Sequence, residues 1–160
     1  QTHYLKGTNF GFTIPVRERI DGIVLEINRA SSAANGAVDV VVKLVKASGA
    51  VGTENKAITG TLWTATFGTF TYGTSTTLWG DLWTPADINN SKFGAVLSGR
   101  AIFKSGASLG VDVFRITIDY SGRRQSRIVM SRARCPTNVI YLYWEEVALY
   151  TRTRPLTSHI

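Results

Sequence analysis

The hydrophobic and polar residues of this chain alternate with a period of two in several short stretches, a pattern typical of half-buried strands. The pattern predicts strands at 9–16, 22–30, 38–47, 93–103 and 112–120. The predicted inward faces are Phe10, Phe12, Ile14 and Val16; Ile23, Leu25 and Ile27; Val38, Val40, Val42 and Leu44; Phe93, Ala95, Leu97, Ala101 and Phe103; and Asp112, Phe114, Ile116, Ile118 and Tyr120. The stretch 38–47 is apolar on both faces, which favours a central position in a sheet.

The connections between these stretches are rich in Gly, Ser and Asn, and the chain before position 121 lacks a convincing helical period. Short strands separated by such turns predict a single all-β domain over residues 1–121. About eight strands in one domain favour a jelly-roll-like β-sandwich, with an immunoglobulin-like sandwich as the second choice. A chain of 160 residues can bury its own core without a disulfide or a metal.

The Trp-rich corner, which we define as residues 72–89, separates two groups of predicted strands. Its turn-forming residues are Gly73, Gly80 and Pro85. The glycines are expected to let the chain turn, and the proline is expected to end a strand. Trp79 and Trp83 are then expected to close one end of the sandwich.

Four aromatic residues offer a second interpretation of the same region. They are Trp63, Tyr72, Trp79 and Trp83. Flat aromatic faces stack on sugar rings, so these side chains are a candidate platform for host-surface glycans. Large aromatic side chains also fill the core of a β-sandwich, and that interpretation is the favoured one.

Most of the positive charge lies in the last quarter of the chain. Residues 1–121 carry 11 Lys and Arg against 9 Asp and Glu, whereas residues 122–160 carry 7 Arg against 2 Glu. The net charges are therefore +2 and +5, which together give the +7 of the whole chain. The segment 122–160 is interpreted as an Arg-rich C-terminal extension that docks on a neighbouring subunit.

The extension contains cationic and aromatic residues that suit a subunit interface. The candidates are Arg123, Arg124, Arg127, Arg132, Arg134, Tyr141, Tyr143 and Trp144. Arg pairs with a neighbour's carboxylates, and Tyr and Trp are frequent interface anchors. Arg also neutralises phosphate, but these cations are spread along the segment instead of forming one arm. An interface is therefore favoured over nucleic-acid binding.

The residues that carry most enzyme chemistry are few and dispersed. The only histidines are His3 and His159, and the only cysteine, Cys135, has no second thiol to pair with. The neighbouring Glu145 and Glu146 would point to opposite faces of a strand. The sequence therefore predicts a non-enzymatic protein without a metal or other cofactor. The apolar runs are too short to cross a membrane, so no membrane partner is expected.

Several pieces of the chain resemble a recurrent domain of tailed-bacteriophage virion proteins. The matching pieces are Leu5; Asn9-Phe10-Gly11-Phe12-Thr13-Ile14-Pro15; Arg19-Ile20-Asp21-Gly22-Ile23 with Glu26-Ile27; Tyr72-Gly73; Leu78-Trp79-Gly80; Trp83-Thr84-Pro85-Ala86-Asp87-Ile88-Asn89; Phe93-Gly94; and Val113-Phe114-Arg115-Ile116-Thr117-Ile118-Asp119-Tyr120. Their order and approximate spacing are kept over residues 5–120, and the chain departs from the pattern after Tyr120.

The resemblance implies a jelly-roll-like structural component of the virion, without catalytic residues to carry over. Proteins with this domain lie in tails, fibres and head decorations, so the resemblance does not fix a position in the particle. The expectation is a self-assembling homo-oligomer that contacts other virion proteins. The alternatives are a module that binds host-surface glycans and a capsid subunit that contacts nucleic acid.

Overall fold

The structure, a computed structural model, describes residues 2–32, 36–102 and 108–122, together with the backbone of Val129–Arg134 and Ile140–Leu142. The described part is all-β, as predicted, with eight strands and one helical turn. The elements are β1 (Leu5–Thr8), β2 (Arg19–Ser31), β3 (Ala37–Val45), β4 (Gly68–Tyr72), α1 (Pro85–Ile88), β5 (Gly94–Ala101), β6 (Leu109–Ser121), β7 (Val129–Arg134) and β8 (Ile140–Leu142).

The strands form two antiparallel sheets. The first sheet has the order β1-β5-β3, and the second has the order β4-β2-β6-β7, with β8 also paired to β6. The two 13-residue strands β2 and β6 pair along nearly their whole length. One hydrophobic core includes Leu25 of the second sheet and Leu97 of the first, so both sheets contribute to it.

The alternation in β2 and β6 was predicted correctly with one exception. Ile23 of β2 and Ile116 and Ile118 of β6 are fully buried, whereas Asp112 is exposed. The register between the two strands shifts by one residue opposite Asn28, where Asp112 is the extra residue. Such a bulge turns the following side chains to the other face, which explains why Asp112 does not share the inward face.

Residues 9–16 bury three of the four side chains predicted to point inward, yet they form no strand. Phe10, Phe12 and Ile14 are buried, whereas Val16 is 84% exposed. Asn9 has a positive φ of 63°, so the chain leaves the β region where the predicted strand would begin. The period of two therefore identified the buried face but not a strand.

The central position predicted for β3 is wrong, because β3 lies at the edge of its sheet. A register shift between Asp39 and Val41 changes which residues face the core. Ala37 lies in the core before the shift and Val42 after it, while Val40 is only half-buried. The bulge therefore breaks the single predicted face.

Residues 52–63, which we call the strap, cover the open edge of β3. This cover accounts for the apolar composition of β3 at the edge of a sheet. The backbone N–H groups of Gly52, Lys56 and Trp63 donate to carbonyls of β3, at 2.8, 2.9 and 2.8 Å. The side chain of Asn55 accepts from the N–H of Val42 and donates to the carbonyl of Val40, at 2.8 and 2.9 Å. The strap thus satisfies the edge of β3 without being a strand.

The C-terminal extension contributes two strands to the second sheet. The backbone of β7 pairs with residues 113–118 of β6, and that of β8 pairs with residues 109–111. Arg132 and Arg134 lie in β7, and Tyr141 lies in β8. The other interface candidates, namely Arg123, Arg124, Arg127, Tyr143 and Trp144, and the core candidate Phe103 lie outside the described residues.

Candidate functional site

A buried polar cluster joins the two sheets and the strap. Arg29 of β2 and Asp39 of β3 are both fully buried, and their side chains form an ion pair with Nη2 and Oδ2 3.2 Å apart. The hydroxyl of Tyr72 accepts from Nε of Arg29 at 3.0 Å and donates to Asp39 at 2.8 Å. A charge removed from water needs such partners, and here they come from β2, β3 and β4.

The strap completes the set of donors around the carboxylate. Nε1 of Trp63 donates to Asp39 at 2.9 Å, and the backbone N–H of Ile58 donates to it at 3.2 Å. With the bonds from Arg29 and Tyr72, the carboxylate accepts four hydrogen bonds. The cluster therefore holds the strap against the core as well as joining the sheets.

Two aromatic rings lie against the guanidinium group of Arg29. The guanidinium carbon lies 4.6 Å from the ring centroid of Trp63 and 3.6 Å from that of Phe70. The electron-rich face of an aromatic ring attracts a cation, more strongly when water is excluded. The arrangement stabilises a charge in the core and exposes no group to a substrate.

The phenol of Tyr72 is held in its neutral form. Burial raises the pKa of Tyr72 well above its usual range, the Asp39 carboxylate raises it further, and Arg29 acts in the opposite direction. A phenol that donates to a carboxylate keeps its proton. Its role here is to bridge the ion pair.

The Trp-rich corner packs on β2, and its Trp79 and Trp83 side chains lie in the core. The N–H of Ile23 donates to the carbonyl of Thr77 at 2.9 Å, and Nε1 of Trp79 donates to the carbonyl of Ile23 at 2.8 Å. A Cβ atom on Gly22 would lie 2.1 Å from the carbonyl carbon of Ser75, so only glycine allows this approach. Gly73 and Gly80 also have positive φ angles, as their predicted turns require.

Pro85 was predicted to end a strand. In the structure it begins the helical turn α1 instead. The side chains of Thr84 and Asp87 form a capping box, in which each accepts from the other residue's backbone N–H, at 3.2 and 2.9 Å. The Thr-Pro-Ala-Asp sequence carries this signal, because proline suits the first helical position and the Thr and Asp have capping-box spacing.

Asn89 connects the end of α1 to the extended segment near the N-terminus. Its side-chain oxygen accepts from the N–H of Ile14, and its side-chain nitrogen donates to the carbonyl of Ile14, both at 2.8 Å. The amide thus supplies the pair of bonds that a neighbouring strand would otherwise make. The sequence analysis missed this contact, since its partners are 75 residues apart.

The four aromatic residues proposed as a glycan platform are all buried in the structure. Trp63 and Trp79 are 1% exposed, Tyr72 is 2% exposed and Trp83 is 8% exposed. A sugar ring needs an exposed aromatic face, which these buried rings do not offer. Trp83 instead packs edge-on against Phe93, with ring centroids 5.4 Å apart. All four side chains belong to the hydrophobic core.

The sequence analysis also missed Arg29 and Asp39. Arg29 lies near the end of β2, next to a polar loop, and gives no signal of its own. Asp39 lies within the run Ala37–Val45 and interrupts its apolar pattern. A buried carboxylate in such a run requires a cation or several donors. That requirement predicts a partner but cannot identify it.

Among the described residues, no group of three or more His, Cys, Asp or Glu side chains is placed to hold a metal ion. The same residues include no helix long and apolar enough to cross a membrane. Comparisons of the chain with protein-family models, curated proteins and solved structures gave no match.

Proposed function

We propose that this protein is a non-enzymatic structural component of a bacteriophage virion, which self-assembles and contacts other virion proteins. The proposal starts from the sequence resemblance over residues 5–120. Its main structural support is that the resembling pieces, which are far apart in sequence, meet in space. Asn89 bonds to Ile14, Trp79 bonds to Ile23, and Phe93 contacts both Phe12 and Trp83.

Those contacts give the resembling residues a physical role in one framework. The ring centroids of Phe12 and Phe93 are 5.9 Å apart, and both rings are buried. We propose that the two sheets form a jelly-roll-like sandwich, with the Trp-rich corner closing one end. A rigid body of this kind suits a protein whose role is to hold a position within a particle.

The proposed role of the extension is contact with a neighbouring subunit. Its described strands β7 and β8 already pair with β6 of the same chain, so docking on a neighbour would involve residues beyond these strands. Segment 143–160 contains Tyr143, Trp144 and two of the seven arginines of the extension. Aromatic and Arg side chains of this kind anchor many protein interfaces.

The virion assignment is tested by locating the protein in particles. An antibody raised against the purified chain should label purified phage particles at positions that repeat with the symmetry of the head or tail. Mass spectrometry of the same particles should detect the chain at a fixed copy number. A chain found only in the soluble fraction of infected cells would contradict the proposal.

The role of the extension is tested by light scattering. A chain that ends at Leu142 keeps both described strands of the extension and should form smaller assemblies than the full chain. The matched control is a full-length chain with Tyr150→Phe, which keeps the length and the aromatic ring. Equal assembly of the shortened and full chains would show that 143–160 does not dock on a neighbour.

The net charge of +7 supports nucleic-acid contact as a second candidate function. Binding through phosphate contacts weakens steeply as salt rises, because counterions released on binding must return. Filter binding of DNA over a salt series tests this candidate. Affinity that is weak at low salt and insensitive to added salt would contradict it.

A further inference from the structure

The edge of the second sheet ends on a strand with an unpaired side. β4 (Gly68–Tyr72) pairs with β2 in a regular antiparallel ladder without a register shift. Among the described strands it has no other neighbour. Thr69 and Thr71 are exposed, whereas Phe70 is half-buried and Tyr72 is buried. The opposite side of the β4 backbone is therefore a free edge with respect to the described residues.

The hydrogen bonds that flank β4 show which residues of β2 bond in its direction. The N–H of Ile23 donates to the carbonyl of Thr77, and the N–H of Ser31 donates to the carbonyl of Thr64, both at 2.9 Å. Thr64 and Thr77 precede and follow β4, so both bonds lie on its side of β2. Neighbouring residues of a strand send their N–H and C=O groups in opposite directions. The odd-numbered residues of β2 between 23 and 31 therefore bond towards β4.

The register then identifies the groups on the outer edge of β4. Ile27 lies opposite Phe70, so Phe70 exchanges its backbone bonds with β2. Thr69 and Thr71 alternate with Phe70 and direct their N–H and C=O groups away from the sheet. Two N–H groups and two carbonyls thus lie along this edge, and none of them has a hydrogen-bond partner among the described residues.

The other three sheet edges carry features that discourage edge-to-edge pairing. The strap occupies the edge of β3, β1 is only four residues long and contains Lys6, and β7 contains Arg132 and Arg134. Proteins protect free edges with covering loops, short strands, charged residues, prolines and bulges. β4 has the sequence Gly-Thr-Phe-Thr-Tyr, with no charge and no proline. It is the least protected of these edges.

We propose that β4 pairs with β4 of a second copy of this chain, antiparallel about a twofold axis that passes beside Phe70. Thr69 of each copy then lies opposite the partner's Thr71, and each such pair exchanges two hydrogen bonds. The second sheets of the two copies become one continuous sheet. The inference deepens the proposed function and rests on its self-assembly, for which it names the interface.

The occupant is a second copy because the edge is complementary to itself. Two identical surfaces meet in an isologous contact when residue i of one copy meets residue j of the other and the reverse also holds. Thr69 and Thr71 satisfy this rule about Phe70, and neither edge brings a charge that would repel its copy. β-branched residues in directly opposed pairs also stabilise a sheet. Phe70 is held in place by the Arg29 guanidinium group beneath it.

The decisive variant is Thr71→Pro. Proline removes the outward N–H of residue 71 and places its ring at the contact, yet it removes no bond to β2, and edge strands tolerate proline whose N side faces solvent. The full-length variant should form smaller assemblies by light scattering than the unsubstituted chain does at the same concentration. Thr71→Val is the matched control, because it keeps the N–H and the branched side chain and should assemble normally. Circular dichroism of both variants should match that of the unsubstituted chain.

Paired cysteines test the register of the contact. Full-length chains with Cys135→Ser and either Thr69→Cys or Thr71→Cys are oxidised separately and as a mixture. Opposed residues of a hydrogen-bonded pair have Cα atoms about 5.5 Å apart, within the range that a disulfide bridges. The mixture should give far more covalent dimer than either variant alone.

Three outcomes would overturn the pairing: a monomeric unsubstituted chain, an oligomer that Thr71→Pro leaves intact, or a mixture that crosslinks no better than its components. If removal of 143–160 dissociates the oligomer and Thr71→Pro does not, assembly proceeds through the extension and the pairing is wrong. In every case the virion assignment is decided separately, by detection of the chain in particles.

Discussion

Arg29 is a full positive charge without contact with water, and its environment explains how the fold accommodates it. Asp39 supplies the opposite charge, Tyr72 bridges the two, and the rings of Trp63 and Phe70 lie over the guanidinium group. Breaking a buried pair by removing one member costs more than replacing both members, because the remaining charge stays buried without compensation. The cluster therefore makes the core sensitive to single substitutions.

Asp39→Asn tests this sensitivity. The substitution keeps the side-chain shape but leaves the charge of Arg29 uncompensated, so the free energy of unfolding should fall by about 3–5 kcal/mol. Urea unfolding followed by circular dichroism measures the change. Asp112→Asn, at an exposed position, is the control and should change stability little. The double variant Arg29→Met, Asp39→Asn should recover part of the loss, and a single variant as stable as the parent would contradict the argument.

Tyr72 gives the cluster a dependence on alkaline pH. Its pKa in the folded chain is raised, whereas in the unfolded chain it is about 10. Below that value both states keep the phenol proton, so the contribution to stability is complete. At higher pH the unfolded chain loses the proton first, and the contribution falls as the pH rises through the folded pKa.

Tyr72→Phe removes the titrating group and isolates this effect. The parent chain should be more stable than the variant near neutral pH, by about 1 kcal/mol or more for a buried hydrogen-bonded group. The difference between the two free energies of unfolding should shrink above about pH 10. A difference that stays constant up to the alkaline unfolding of both chains would show that the phenol of Tyr72 is not held neutral by its surroundings.

Sequence reasoning could not identify this cluster, because its members are brought together only by the fold. Arg29 and Tyr72 are 43 residues apart, and Trp63 is 24 residues from Asp39. A single polar residue in an apolar run predicts that a partner exists. Which residue is the partner depends on strand order and register, and a period of two does not determine either.

At the scale of elements, side-chain amides replace missing strand neighbours in two places. Asn55 bonds to the edge of β3, and Asn89 bonds to both backbone groups of Ile14. An amide carries one acceptor and one donor with the spacing of a peptide group. Each Asn therefore supplies hydrogen-bond partners to backbone groups that face no strand among the described residues.

Asn89→Ala should destabilise the protein through the backbone of Ile14. The substitution leaves one N–H and one C=O group without a partner in a partly buried position, at a cost of about 1–3 kcal/mol for a buried group. The midpoint of urea unfolding should fall while its slope stays constant. Asn90→Ala is the matched control, because the side chain of Asn90 accepts only one bond, from the N–H of Lys92 in the adjacent turn. Equal effects of the two substitutions would refute the proposed bridge.

The elements also show where a pattern of hydrophobic residues is informative. β2 and β6 were predicted well, because each presents one apolar face over a long run. The pattern of residues 9–16 was equally clear, but its partner is the Asn89 side chain instead of a strand. β3 is apolar on both faces, which suggested a central strand. It is an edge strand whose outer side is covered by the strap and whose inward face changes at the bulge. The period of two therefore indicates which side chains of a segment are buried. It does not indicate which part of the chain bonds to the segment's backbone edge.

At the scale of the whole molecule, β2 and β6 form the stable centre and the short edge strands lie outside it. Amides that bond within the β2–β6 ladder, such as those of Val24 and Thr117, should exchange with solvent slowest. The outward N–H groups of Thr69 and Thr71 should exchange fast when the unsubstituted chain is diluted to monomer, and slowly at concentrations where it assembles. Hydrogen exchange followed by NMR measures both. Fast exchange of the Val24 amide with the rest of the core intact would contradict this order of stability.

The fold class could be predicted because alternation and turn residues alone specify a β protein. The assignment of strands to sheets could not, because it depends on contacts such as that between Gly7 of the first sheet and Phe114 of the second. Trp79 and Trp83 of the corner are buried in the core, as is common for large aromatic side chains in β proteins. The use of the corner's proline to begin a helix was missed.

The bridge made by Asn89 also exposes the protein to chemical ageing. Deamidation converts an asparagine side chain into a carboxylate, which replaces the amide nitrogen with an oxygen. That nitrogen is the atom that donates to the carbonyl of Ile14, so after the reaction two oxygens would face each other across the same gap. A spontaneous reaction at one side chain would then loosen the segment that carries Phe10 and Phe12, with no change elsewhere in the chain. In the proposed virion, deamidated Asn89 would accumulate with the age of the particle.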